Sequence, residues 1–352
     1  MRALVLSGGE GSRLRPLTHT NAKQLIPIAG RPILFHALEA VAEAGITEVG
    51  IVIGSTGDEV RAAVGDGSRW GLMVTYIPQE APLGIAHAVM TAADFVRGEP
   101  FLLYLGDNVL LEGVARFVEE FERTRPDAQI LLTRVAEPEQ FGVAVLEGER
   151  VVRLVEKPAT FISDIALVGV YLFDDSILEA AATLEPSGRG EYEITEAIQW
   201  LIDNGRTVRA EMVEGYWKDT GRPEDLLEAN RMMLGGLSAA VEGDVDAATV
   251  VEGIVIVGAG AKVTGSVLRG PVVIGPGTIV DASTVGPNVS LERDCRIERS
   301  DLSDSIVMAN CHITDVRGLT GSILGRGADI GHSGAKGIYR LIVGDQSRVE
   351  LD

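Results

Sequence analysis

From about Val250 onward, aliphatic residues return at steps of roughly six: Leu268, Ile274, Val280, Val285, Leu291 and Ile297. The stretches between them are small and turn-forming, as in IGPGTIVDASTVGPNV. An α-helix repeats near 3.6 residues and a lone strand at 2, so neither explains such a step. A solenoid of short strands does, and the period predicts a parallel β-helix, with a Gly-rich β-sandwich as the alternative. Each coil leaves room near its turns for small residues only. Of the 42 glycines, 17 lie in the last 110 residues, whereas of 17 aromatic residues only Tyr339 lies there.

Residues 1–242 have a different texture. Ala3–Leu6 reads as a short apolar strand leading into a glycine-rich turn. A helix is expected over Pro32–Ala44, with the proline in its first turn and Gly45 as its stop. Strand Val49–Ile53, helix Glu59–Val64, strand Met73–Ile77, helix Ile85–Phe95 and strand Phe101–Leu105 follow. Repeated βα order predicts an α/β sheet with helices on both faces and ligands at the carboxyl ends of its strands. The loops after Leu6, Ile77 and Leu105 are therefore expected to converge. A strand-rich stretch, Leu131–Phe173, and helices Ile194–Asn204 and Pro223–Leu234 complete this part. The expected organisation is a catalytic domain over 1–236, a linker over 237–249 and a β-helix domain over 250–352. The segment His332–Asp352 leaves the six-residue pattern and is expected to cap the β-helix or dock on a neighbour.

Charge narrows the function. The chain has 31 basic and 51 acidic residues, a net charge of -20. Nucleic acid and anionic membranes call for a basic face, so both are excluded as partners. Two cysteines, Cys295 and Cys311, cannot make a disulfide framework, and no CxxC or metal spacing is present. No apolar signal segment opens the chain and no run of ~20 apolar residues occurs, which predicts a cytoplasmic protein.

Against this acidity, one short region is basic. LSGGEGSRLRP, residues 6–16, follows a strand, and its glycines let backbone N–H groups approach phosphate oxygens. Arg13 and Arg15 add positive charge, and Lys23 in NAKQLIPI follows closely enough to reach the same anion. The loop is neither GxGxxG nor GxxxxGK[ST], so dinucleotide and P-loop rules do not apply. GDN, residues 106–108, ends an apolar strand and offers Asp107 as a Mg²⁺ ligand; WKDTG offers Asp219 as a second carboxylate. EKP, residues 156–158, ends another strand with a carboxylate and an amine suited to sugar hydroxyls and phosphate.

Together GGEGSRLRPLT, KQLIPI, GDN, EKP, RGEYEIT and the W-x-DTG motif resemble the sugar-1-phosphate nucleotidyltransferases, nearest the long-form glucose-1-phosphate thymidylyltransferases. The resemblance covers residues 1–235 almost end to end. It implies a Rossmann-like, GT-A-like mixed sheet with helices on both faces, followed by a left-handed parallel β-helix. It implies that Leu6, Gly8, Gly9, Gly11, Gln79, Pro82, Gly84 and Asp107 bind the nucleotide, Gln79 reading the pyrimidine edge. Arg13 and Lys23 would act on the triphosphate and developing pyrophosphate. Asn108, Gly142, Glu156, Lys157, Leu167, Tyr171, Arg189 and Trp217 would bind the sugar phosphate, and Asp107 and Asp219 would hold Mg²⁺. The implied substrates are dTTP and glucose 1-phosphate, in a homo-oligomer.

The chain departs from the family pattern at three motifs. Ser163-Asp164 replaces a pair containing asparagine, His87 in GIAHA stands where an amide is common, and Lys218 replaces an apolar residue before DTG. Rival readings are a bifunctional chain whose β-helix transfers acyl groups through His312 or His332, and a non-catalytic subunit. UTP, GTP or another sugar or cyclitol phosphate are alternative substrates.

Overall fold

The computed structural model describes residues 1–333 and 337–351. These residues form two compact units, one of Met1–Glu10 with Leu34–Asp219, the other of Gly11–Ile33 with Thr220 onward.

The first unit is built on one mixed sheet. Strands Phe101–Leu105, Arg2–Ser7, Glu48–Ile53 and Met73–Pro78 lie side by side and parallel. Ile165–Phe173 adds antiparallel to Phe101–Leu105, and Gly142–Glu147 and Arg150–Glu156 continue that edge. Ala128–Arg134 also pairs with Ile165–Phe173 and carries Val208–Met212 parallel to itself. Ala3, Leu4, Val5, Leu102 and Leu103 are fully buried without alternation, because the central strands are covered on both faces. Tyr171 stacks on Phe173, ring centroids 5.8 Å apart, and Phe173 packs against Phe101.

Two expected boundaries move. The first helix is Ile33–Glu43, and Pro32 precedes it in a two-residue strand opposite Pro27. The helix expected over Ile85–Phe95 divides at Ala92 into Ile85–Thr91 and Ala93–Val96, because Ala92 leaves helical geometry at ψ 9°.

The second unit contains the left-handed β-helix, three parallel sheets of two- to five-residue strands. Val250 pairs with Val267 and Val267 with Thr284, a step of 17 residues per coil. All six aliphatics of the six-residue series are fully buried on these strands, so the period is the inward face of a three-sided coil. Cys295 and Cys311 are both buried thiols of the same interior. Coils stack so closely that some glycines are steric. A Cβ on Gly275 would lie 2.5 Å from the carbonyl carbon of Glu292. At Gly286 both causes act: φ is 106°, and a Cβ would clash with the Arg269 carbonyl oxygen.

The β-helix also begins earlier than its aliphatic period. Ala240–Val241 and Asp244–Val245, within the stretch expected as a linker, pair with Val255–Val257 and Lys262–Thr264. Their outward exposure at the first coil hides the period. At the other end Ile342–Val343 and Arg348–Leu351 stack on Ile323–Leu324 and Asp329–Ser333. The segment after His332 therefore continues the coil where it is described. Its step has grown to 19 residues between Ile323 and Ile342, which breaks the six-residue count.

One sheet of the β-helix is covered on its outer face. Helix Pro223–Gly235 packs on strands Val289–Leu291 and Ser305–Val307, whose residues are all buried. Asn230 is the joint. Its Oδ1 accepts from the Ala29 amide at 2.8 Å and from the Ser290 hydroxyl at 2.9 Å. Gly30 lies so close to Val273 that a Cβ would meet its Cγ1 at 3.0 Å. Segment Gly11–Ile33 is thus packed on the β-helix sheet within its own unit.

Candidate active site

In the first unit the strand-end loops do converge. The Gly106 amide donates to the Leu6 carbonyl at 2.9 Å, and a Cβ on Gly8 would meet Gln79 Oε1 at 3.2 Å. Gly54 follows the neighbouring strand, and a Cβ there would strike the Gly8 carbonyl at 2.8 Å. Gly84, at φ 105°, introduces helix Ile85–Thr91, and a Cβ there would lie 2.5 Å from the Tyr192 carbonyl oxygen. Gly9 and Pro82 are exposed beside this corner's loops. Gln79 Nε2 lies 2.8 Å from His87 Nδ1.

The expected metal carboxylates are joined by strand register. Trp217–Asp219 pairs antiparallel with Asn108–Leu110, which sets Asp219 opposite Asn108, the residue after Asp107. Asn108 is almost fully buried and organises the corner. Its Nδ2 donates to Asp107 Oδ1 at 3.0 Å and its Oδ1 accepts from Trp217 Nε1 at 2.7 Å. Gly169 makes room for it, since a Cβ there would lie 2.6 Å from Asn108 Oδ1. Trp217 packs edge-on against Phe141 at 5.5 Å. Sequence reasoning missed Gly169 and Phe141, because a glycine in an apolar strand carries no local mark of what it accommodates.

The expected sugar-phosphate residues assemble at the end of strand Arg150–Glu156. Gly142 pairs directly with Glu156. A Cβ on Gly142 would lie 2.5 Å from Thr195 Cγ2 and 3.0 Å from Glu156 Oε2, so only glycine fits. Leu167 and Tyr171 are buried beneath. Glu156 accepts from the Thr195 hydroxyl at 3.1 Å and faces Lys157 Nζ at 3.6 Å and Arg189 at 3.7 Å. Burial holds its carboxyl above the ordinary value; Glu193 adds to this, while Lys157, Arg189 and Thr195 oppose it. Lys157 has φ 38°, a strained conformation for a side-chain-bearing residue and one that clusters at functional sites. Arg189 is held by Glu191 at 2.8 Å and Glu193 at 3.1 Å. Glu156, Lys157, Arg189, Glu193 and Thr195 line a cavity of about 700 Å³. Glu193 and Thr195 were not singled out in RGEYEIT, although that motif held them.

The cationic loop belongs to the second unit. It consists of three short 3₁₀ turns, Ser12–Leu14, Leu17–His19 and Lys23–Leu25. Leu14 and Leu17 are fully buried and anchor it, while Arg13 and Arg15 are exposed. Gly11 has φ 62° and its carbonyl accepts from the Thr18 hydroxyl at 2.7 Å. A Cβ on Gly11 would press on Lys23 Cβ at 3.0 Å. Lys23 is 7% exposed, so the solvated surface lysine is ruled out.

Other singled-out positions lie elsewhere. Asp164 pairs with Arg134 at 2.6 Å, and Ser163 accepts from the Ile165 amide, both at a strand end. Lys218 lies between Trp217 and Asp219 in their strand. His312 is exposed, in register between Arg296 and Asp329. The His332 side chain lies outside the described residues.

The nucleotidyl transferase family model matches residues 2–235. The glucose-1-phosphate thymidylyltransferase of Streptomyces griseus is 51% identical, over 100% of this chain and 99% of its own. A Haloferax volcanii nucleotidyltransferase of low-salt glycan biosynthesis is 43% identical over the full length of both chains. Among solved structures, a glucose-1-phosphate thymidylyltransferase of Bacillus anthracis superposes with TM-score 0.63 at 34% identity, covering 66% of this chain and 94% of that one. The chain belongs to the nucleotidyl transferase family.

Proposed function

We propose that this chain transfers a thymidylyl group from dTTP to glucose 1-phosphate, giving dTDP-glucose and pyrophosphate. The observation that carries the reading is the register of Asn108–Leu110 with Trp217–Asp219, which joins both expected metal carboxylates to the end of the central sheet. The identity shared with the Streptomyces griseus enzyme over the whole chain supports the substrates.

A phosphate oxygen of the sugar attacks the α-phosphorus in line, and pyrophosphate leaves without a covalent enzyme intermediate. Two polyanions must meet, so repulsion is the main obstacle. Arg13 and Lys23 carry charge that offsets it at the triphosphate, and the Gly8 and Gly9 backbone holds the nucleotide. Leu6, Gly11, Pro82 and Gly84 complete the nucleotide contacts, with Gln79 on the base. Glu156 accepts from sugar hydroxyls. Lys157 and Arg189 bind the sugar phosphate, over a floor of Leu167 and Tyr171 beside Gly142, Asn108 and Trp217.

Asp107 and Asp219 supply an oxygen-only donor set, which fits Mg²⁺ bound by one or two carboxylates plus phosphate. A bound Mg²⁺ supplies charge neutralisation to the phosphate oxygens.

The same reading makes the chain a cytoplasmic homo-oligomer. No helix among the described residues is long and apolar enough to cross a membrane. The test is a matrix of dTTP, UTP, GTP and CTP against sugar 1-phosphates, read by pyrophosphate release. Highest kcat/KM for dTTP with glucose 1-phosphate is the expected result; no turnover of that pair overturns the assignment.

A further inference from the structure

The Gln79 amide lies against the His87 imidazole. The distance of 2.8 Å from Gln79 Nε2 to His87 Nδ1 is that of a hydrogen bond, and Nε2 also reaches the Gly84 carbonyl at 3.5 Å. An amide nitrogen only donates. The contact is a hydrogen bond to Nδ1 in the tautomer that carries its proton on the ring's Nε2. The amide nitrogen is turned toward His87 and the amide oxygen toward Gly8, where a Cβ would meet it at 3.2 Å. Among the described residues that oxygen accepts no hydrogen bond.

The imidazole is itself braced. Its ring stacks on Tyr192 with centroids 6.0 Å apart and planes at 28°. Tyr192 is bonded at both backbone groups, donating to the Leu83 carbonyl at 2.7 Å and accepting from the Ala86 amide at 3.1 Å. A turn of the amide would set its oxygen against the Nδ1 lone pair and leave its nitrogen without that partner.

We infer that His87 is a positioning residue for base selection: it presents Gln79 Oε1, an acceptor, to the incoming base. The inference rests on the proposal that Gln79 reads the base edge. Thymine and uracil offer a ring N3–H to an acceptor. Cytosine offers a lone pair at N3, which faces the oxygen unfavourably. His87 thus separates imide-bearing pyrimidines from cytosine and leaves thymine against uracil to other contacts.

The test measures kcat/KM for dTTP and for CTP on the full chain, with glucose 1-phosphate. Their ratio within one variant does not depend on how much of that variant is folded. His87→Leu removes the acceptor and is expected to lower the dTTP/CTP ratio by about tenfold, the worth of one hydrogen bond to the base. His87→Gln, which can return an acceptor oxygen, restores most of the ratio. His87→Lys offers only donors, turns the amide and lowers the ratio at least as far as His87→Leu. Unchanged ratios in His87→Leu and His87→Lys, with a ratio collapsed in Gln79→Leu, overturn the inference and leave the base reading intact. An unchanged ratio in Gln79→Leu rejects the base reading and the inference with it. Should His87→Leu not fold, equal ratios in the Lys and Gln variants overturn the inference on their own.

Discussion

The Asn21 side chain donates to the Asp345 carboxylate at 2.9 Å, joining residues 324 positions apart. Asn21 is almost fully buried and also donates to the Leu17 carbonyl at 3.2 Å. The other Asp345 oxygen accepts from the Arg326 amide at 2.8 Å. Beside them a Cβ on Gly344 would press on the Pro16 carbonyl at 3.0 Å. The last described coil of the β-helix therefore grips the turn that carries Arg13 and Lys23.

Replacing Asp345 by alanine leaves the buried Asn21 amide short of an acceptor, a loss of ~1–3 kcal/mol. Asp345→Ala is expected to lower the melting temperature and also kcat, because Lys23 follows Asn21 by two residues. Removing residues 332–352 should cost more activity than Asp345→Ala. Pyrophosphate release and thermal melts on both variants check this, and wild-type kcat in the truncated chain would refute it.

Arg13→Ala and Lys23→Ala are each expected to reduce kcat by ~2–4 kcal/mol, the range for groups that stabilise transition-state charge. Lys23 is buried, so Lys23→Ala should also lose packing of its stem against Gly11. Steady-state kinetics at saturating triphosphate measure the loss. A kcat within a few-fold of wild type for both variants would remove them from the reaction.

Asp107→Asn keeps a hydrogen-bond acceptor for Asn108 Nδ2 but removes the charge that would bind a cation. Turnover in this variant should no longer rise with added Mg²⁺. A magnesium titration of initial rate tests it, and a preserved response would assign the metal elsewhere.

Glu156 makes stability depend on pH in a defined direction. Its folded carboxyl binds a proton more tightly than the ordinary value of 4.5, with burial as the largest cause. Between the unfolded and folded values the native state holds a proton that the unfolded state lacks, so stability falls as pH rises through that window. Above it the buried charge keeps its full cost; below the ordinary value that cost disappears. Glu156→Gln should therefore melt higher than wild type at neutral pH, with the gain fading below the ordinary carboxylate range. The same variant should raise KM for the sugar phosphate. Melting curves across pH give the sign, and a gain that grows on acidification would contradict it.

Sequence pattern revealed the β-helix through inward aliphatics such as Leu268 and Ile274, because a solenoid repeats its environment every coil. It singled out Asp107, Glu156 and Asp219 as candidates because acids at strand ends stand out against apolar runs. It could not place the linker, since Ala240 and Asp244 belong to a coil whose outer faces are exposed and polar. It could not foresee that Asn21 meets Asp345, because hydrogen bonds between distant segments leave no periodicity. His87 was visible only as a departure from pattern; its contact with Gln79 depends on the turn at Gly84, which brings helix and strand end together.

The hold on segment Gly11–Ile33 gives the β-helix the character of a ruler. Gly30 rests on Val273, whereas Pro16 and Asn21 rest on Gly344 and Asp345, four strand steps farther along the same sheet. At ~4.8 Å per step the two anchor points stand roughly 19 Å apart along the solenoid. Inserting or deleting one whole coil between them would leave a well-formed solenoid yet slide Asp345 past Asn21 by a full step. Coil number in this interval is consequently fixed by the cationic loop, whereas coils added beyond residue 351 would be free to vary.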